Sequence, residues 1–270
     1  MEHTKLITVH DVDTEKQELL IALLNYDNTL DGVEQHDHTM DLYITEQKYN
    51  DDVITTLLPY YTTVSTVPTR NWNALWESNF EPVQVDHFCG IRAHFHPPIL
   101  GVTYELLITP KMSFGTGHHA TTYMVIKAME TTDIAHKTVA DYGTGTGVLA
   151  ILAAKLSAAH IVAIDNDDWS IENTIENIAN NNCKGIEVVK GEHIPTGKYD
   201  IILANINKNV LLMHMKHISN SLATGGTVIL SGILTTDEQD MTTCIQANGL
   251  QLLETNNKNN WLCIIATKLT

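Results

Sequence analysis

Asp141-Tyr142-Gly143-Thr144-Gly145-Thr146-Gly147 sets three glycines at alternate positions behind an aspartate. Without a Cβ, a backbone can turn tightly and lie close to a ligand. Where such a turn opens a helix, unpaired N–H groups point outward and can take an anionic group. Dinucleotide binding would want glycine or alanine at position 148, which is Val148, and no Gly-Lys-Ser/Thr follows to make a phosphate loop. Gly143, Gly145 and Gly147 are therefore candidate cofactor-binding residues of another class. Asp165 ends the apolar run 161–164. An acidic residue one strand–helix step beyond a glycine turn can accept hydrogen bonds from both hydroxyls of a ribose. Asp167 and Asp168 beside it compete for the role. Asn205 ends a second apolar run, 201–204. Strand ends of this kind face the ligand crevice in open α/β sheets. Its amide oxygen can accept from a substrate N–H, which makes Asn205 the candidate catalytic residue. Ile206-Asn207 follow it, where DNA-adenine and glutamine-directed amine methyltransferases carry two prolines.

These side chains need a frame. From residue 137 the sequence alternates strands (138–142, 161–164, 186–189, 200–204, 227–231) with helices (148–158, 170–180, 208–222, 237–247). Such alternation predicts a parallel sheet covered on both faces. The last two strands, 250–254 and 261–267, leave no room for a helix between them and predict a hairpin with one antiparallel member. The expected fold class is α/β: a Rossmann-like, seven-stranded methyltransferase sheet with a small N-terminal α/β domain. That small domain is expected over 1–60, with strands at 6–9 and 40–44 and helices at 15–24, capped by Asp13, and 51–58, stopped by Pro59. Residues 61–109 read as a linker that carries a strand over 103–108, with Trp72 and Trp76 four residues apart as a packing anchor. The cofactor-binding domain is expected over 110–270.

Composition narrows the partners. The chain has 270 residues, 32 acidic against 16 basic, for a net charge of −16. That field repels nucleic acid and attracts a basic partner. No apolar run approaches the ~18 residues of a membrane span, and the first residues lack a secretory layout. Cys89, Cys183, Cys244 and Cys263 form no C-x-x-C pair. These features point to a cytoplasmic chain, a monomer more readily than an oligomer, with no membrane and no direct nucleic-acid contact. Among 14 histidines, His94-Phe95-His96 and His118-His119 lack the H-E-x-x-H spacing or a third ligand, so no metal is expected.

Phe114-Gly115-Thr116-Gly117-His118-His119-Ala120-Thr121-Thr122 is a second glycine-rich turn, before a helix predicted over 123–129 and placed to close over a cofactor. Taken with Asp141–Gly147, Ala204-Asn205-Ile206, Leu230–Leu234 and the Trp72/Trp76 pair, it resembles the ribosomal protein L-eleven methyltransferase family. Those are bacterial enzymes that methylate a protein of the large ribosomal subunit. The family's F-G-T-G-T-H-P-T-T is matched at seven of nine positions, with departures at His118 and Ala120. By motif the resemblance covers about residues 70–270; the first sixty match in layout only, as a small substrate-recognition domain. It implies S-adenosylmethionine as cofactor, held by Thr122, Gly143, Asp165 and Asn205, with Phe114 near its methionine end. It further implies N-methylation of lysine side chains and the α-amine of a basic ribosomal protein, leaving trimethylated nitrogens. No obvious general base stands in these motifs; His118 or His119 is the alternative for proton relay. Rival readings are a related methyltransferase acting on another protein or a small amine, and a catalytically silent ribosome-associated protein that only binds the cofactor.

Overall fold

The computed structural model describes residues 3–24, 29–68, 81–109 and 117–269 and falls into two units, Met1–Phe80 and Glu81–Thr270. In the first unit β1 (His3–His10), α1 (Thr14–Leu24), β2 (Gly32–Gln35), β3 (Thr39–Thr45), α2 (Asp51–Leu57) and β4 (Tyr61–Pro68) build an antiparallel sheet, order β2-β3-β1-β4, with two helices. Asp13 caps α1 as expected, its Oδ1 accepting the Lys16 N–H at 2.9 Å. Asn50 caps α2, accepting from the N–H groups of Asp52 and Val53, both at 3.1 Å. Alternate strand residues Ile7, Val9, Met40, Leu42 and Ile44 meet Leu20, Leu24, Val53 and Leu57 in one buried cluster.

The span 61–109, which reads as a linker from sequence, divides between the two units instead. Residues 61–68 are rich in β-branched types and pair antiparallel with β1 along its whole length. Beyond the undescribed stretch 69–80, β5 (Val83–Val85), β6 (Cys89–Arg92) and β7 (Tyr104–Leu107) form a three-stranded sheet of the second unit. Its Val85, Cys89, Ile91 and Leu106 join that unit's core. Trp72 and Trp76 lie outside the described residues.

The second unit continues with α3 (Ala120–Thr131), β8 (Thr138–Tyr142), α4 (Val148–Lys155), β9 (His160–Asp165), α5 (Asp168–Asn180), β10 (Ile186–Lys190), β11 (Tyr199–Asn205), α6 (Lys208–Ser221), β12 (Leu222–Leu234), α7 (Glu238–Ala247), β13 (Leu250–Lys258) and β14 (Trp261–Lys268). Its seven-stranded sheet has the order β10-β9-β8-β11-β12-β14-β13. β10 through β12 are mutually parallel, and β14 runs antiparallel to both β12 and β13, which makes the predicted terminal hairpin. One face packs on α3 and α4 through Val125, Met129, Leu149 and Leu152; the other packs on α6 and α7 through Leu211, Met215, Met241 and Ile245. Asn177 of helix α5 and its C-cap residue Asn181 lie against β7 and the residues that follow it: Asn181 accepts the Leu107 N–H at 2.9 Å and donates to the Leu107 carbonyl at 2.6 Å, and Asn177 accepts the Thr109 N–H at 2.8 Å. No helix among the described residues is long and apolar enough to cross a membrane.

Candidate active site

The carboxyl ends of β8, β9, β11 and β12 open on a crevice of about 750 Å³, within the size range of small-molecule sites. Of the residues singled out by sequence, Gly143, Gly145, Asp165 and Asn205 line it together. The glycine turn is folded back on its neighbour strand, the N–H groups of Gly143 and Thr144 both donating to the Ile164 carbonyl at 2.8 and 2.9 Å. Asp141 ties it to α4: one carboxylate oxygen accepts from the Thr144 hydroxyl at 2.7 Å and the Ala150 N–H at 3.1 Å. Complete burial pushes the Asp141 carboxyl up to about 6, against the lowering effect of those two bonds. From behind, the Thr174 hydroxyl donates to the Gly145 carbonyl at 2.9 Å and Asn177 to the Thr146 carbonyl at 2.8 Å. Gly143 holds φ +77°, and a Cβ there would stand 2.2 Å from Ile206 Cγ2. A side chain at Gly143 would collide with Ile206 on the crevice wall. Gly147 stands back from the crevice, as the left-handed cap of α4 beside Thr174.

Asp165 accepts the Gly145 N–H at 3.0 Å on one oxygen and the Asp167 N–H at 3.1 Å on the other. A carboxylate offers about four acceptor sites, so each oxygen keeps one for a ribose hydroxyl. The two rivals are engaged elsewhere. Asp167 caps α5 by accepting the Ser170 N–H at 2.8 Å, and Asp168 pairs with Lys190 at 2.5 Å.

Asn205 donates from Nδ2 to the Thr122 hydroxyl at 3.2 Å, while its Oδ1 is buried with no hydrogen-bond partner. An orphaned buried acceptor costs stability unless a ligand N–H meets it. Thr122 itself is fully buried and reaches the crevice through that amide, whereas its neighbour Thr121 lines the wall. Phe114 lies outside the described residues.

Two other lining residues, Tyr142 and His214, carried no sequence signal strong enough to find them. Tyr142, in a variable place of the glycine motif, donates its hydroxyl to the Glu192 carbonyl at 2.6 Å and lies 2.9 Å from His214 Nδ1. Burial, and then the neighbouring His193 and His217, hold the His214 imidazole below its usual value. His119, also on the lining, sits 2.7 Å from the Thr121 hydroxyl and packs edge-on against Trp261, centroids 4.7 Å apart. His118 contacts the Glu81 carbonyl at 2.9 Å and does not line the crevice, and His96 accepts the Ala93 N–H at 3.2 Å within its own turn.

Comparison with known proteins gives the family. A family model described as Ribosomal protein L11 methyltransferase (PrmA) matches residues 3–269. The Ribosomal protein L11 methyltransferase of Porphyromonas gingivalis is 44% identical over 201 residues, covering 73% of this chain and 69% of that protein. Its namesake from Chlorobaculum parvum is 36% identical over 281 residues, covering 96% and 95%. The crystal structure of a ribosomal protein L11 methylase from Lactobacillus delbrueckii subsp. bulgaricus superposes with a TM-score of 0.66 at 27% identity, over 71% of this chain and 100% of that one.

Proposed function

The chain belongs to the ribosomal protein L11 methyltransferase family, and on that premise we propose that its crevice serves methyl transfer to amines of ribosomal protein L11, lysine side chains and the α-amine among them. S-adenosylmethionine is the cofactor, and when bound it supplies a methyl group made electrophilic by a sulfonium. The residues present fit it: a Cβ-free cradle at Gly143 and Gly145, a carboxylate with an acceptor site left on each oxygen, and an amide oxygen awaiting an N–H. Asp165 binds the ribose hydroxyls. Asn205 orients the acceptor amine, and its buried, unpartnered Oδ1 is the observation that carries the reading.

The amine reacts through a lone pair and must first lose a proton. For a lysine of ordinary pKa this costs about 4 kcal/mol at pH 7.5, and for an α-amine well under ~1 kcal/mol. Burial in the crevice disfavours the charged ammonium and lowers both costs. Positioning and desolvation therefore account for the catalysis, with the proton released to water. His119, which lines the crevice, is the candidate relay; His118 is not. The charge of −16 draws in a basic protein substrate. The same reading puts the reaction in the cytoplasm, beside the ribosome.

Incubation of the purified chain with ribosomal protein L11 and methyl-labelled S-adenosylmethionine, followed by mass spectrometry of peptides, tests this directly. Label on amine nitrogens is the expected result. Absence of incorporation overturns the proposal.

A further inference from the structure

We infer that Trp261 is a specificity-determining residue that receives the partly methylated nitrogen of the acceptor between successive transfers; the inference rests on the amine-methylation reading above.

The placement follows from strand direction. Asn205 on β11 pairs with Ser231 on β12, and Ser231 pairs with Cys263 on β14. Because β14 runs antiparallel, its first residue, Trp261, emerges at the edge where β11 and β12 end, opposite Leu234. Trp261 thus stands two strands across from Asn205 and two residues further out, about 10 Å to the side and about 7 Å beyond. Both residues line the one crevice, with Ile206 and Gly232 also on its wall. The indole is only partly buried and is braced by His119 at an interplanar angle of 71°.

The chemistry of repeated transfer assigns a task to such a ring. Each transfer forms a nitrogen–carbon bond from the amine lone pair and breaks the methyl carbon–sulfur bond, whose electron pair returns to sulfur. After the first and second transfers the resulting ammonium gives a proton to water; after the third the nitrogen is quaternary and keeps its charge. A primary amine and its monomethyl product both keep an N–H for Asn205 Oδ1. A neutral dimethylamine has none, so the amide oxygen loses its hold before the third transfer. What can still retain that nitrogen is an apolar, electron-rich face, which contacts N-methyl groups and attracts an alkylammonium. Demand on Asn205 falls with each methyl added, and demand on Trp261 rises.

The test compares the wild-type chain with Trp261→Leu and Trp261→Phe, each checked for cooperative thermal unfolding, in timed reactions with ribosomal protein L11 resolved by mass spectrometry. In Trp261→Leu the third transfer slows about ten-fold more than the first and dimethylated product accumulates, while Trp261→Phe restores most of the trimethylated product. A second readout needs no turnover. By calorimetry without cofactor, the wild type binds reductively dimethylated L11 more tightly than unmodified L11, and Trp261→Leu loses that preference. A product distribution unchanged in Trp261→Leu, or equal slowing of all transfers, overturns this inference alone. A wild-type chain that transfers nothing to L11 overturns the substrate reading, and this inference with it.

Discussion

The side-chain amide of Asn205 is oriented by Thr122: the 3.2 Å bond from Nδ2 to the threonine hydroxyl leaves Oδ1 as the end without a hydrogen-bond partner. A buried threonine, set more than eighty residues away in sequence, thereby decides which end of the Asn205 amide is left for a partner.

Thr122→Val keeps the volume and removes that acceptor. Turnover should fall about ten-fold, since an amide free to present its N–H groups repels the amine it must hold. Cofactor affinity should move less than about three-fold. Steady-state kinetics alongside calorimetry separate the two, and an equal loss in both would assign Thr122 to cofactor binding alone.

Asp165→Ala removes the carboxylate proposed to accept from both ribose hydroxyls, and with it the acceptor of the Gly145 N–H. With each bond to a charged acceptor contributing about 1.5–3 kcal/mol, the dissociation constant for S-adenosylmethionine should rise at least ~100-fold. Asp167→Ala should instead lower thermal stability through the lost α5 cap, with cofactor affinity nearly intact. The reverse pattern would transfer the ribose role to Asp167.

Gly143→Ala places a Cβ 2.2 Å from Ile206 Cγ2 at φ +77° and should cost about 2–4 kcal/mol of stability. Adding Ile206→Ala should recover the steric share and leave about 1–2 kcal/mol of backbone strain. At Gly232 the same substitution meets the Ile206 carbonyl oxygen at 2.2 Å, so trimming that side chain should recover nothing. Denaturant titrations of the two double variants decide the matter.

Asp141 predicts a pH dependence. Its carboxyl titrates near 6 in the fold against 3.8 when exposed, so the native state prefers it protonated. That contribution is complete below about pH 4 and is lost as pH rises through about 6. Against Asp141→Asn, which cannot ionise, the wild type should therefore lose up to ~3 kcal/mol between about pH 4 and pH 7. Thermal unfolding of both proteins across that range provides the check, and a constant difference would refute it.

What the sequence revealed, and what it hid, follows from how local each signal was. The turn 141–147 carries its own punctuation, and β8 runs over 138–142 as predicted. Asp165 and Asn205 were legible because each ends an apolar run that only a buried parallel strand requires. β5 and β6, of three and four residues, are too short to show a period, and β4 declares itself only by pairing with β1. Trp261 was invisible as a wall of the crevice because its nearness to Asn205 depends on the reversed direction of β14, a fact of pairing that no window of residues contains. Gly147 illustrates the converse: its motif is clear, yet it caps α4 and does not line the crevice.

The asparagines of α5 have a consequence beyond bracing the glycine turn. β7 is the border strand of a small sheet, and such a border is a template on which another chain can add a strand. Asn181 occupies the N–H and the carbonyl of Leu107, and Asn177 takes the N–H of Thr109, so amide side chains stand where a foreign backbone would dock. The helix thus seals the sheet's margin against self-association, a safeguard built from side chains alone.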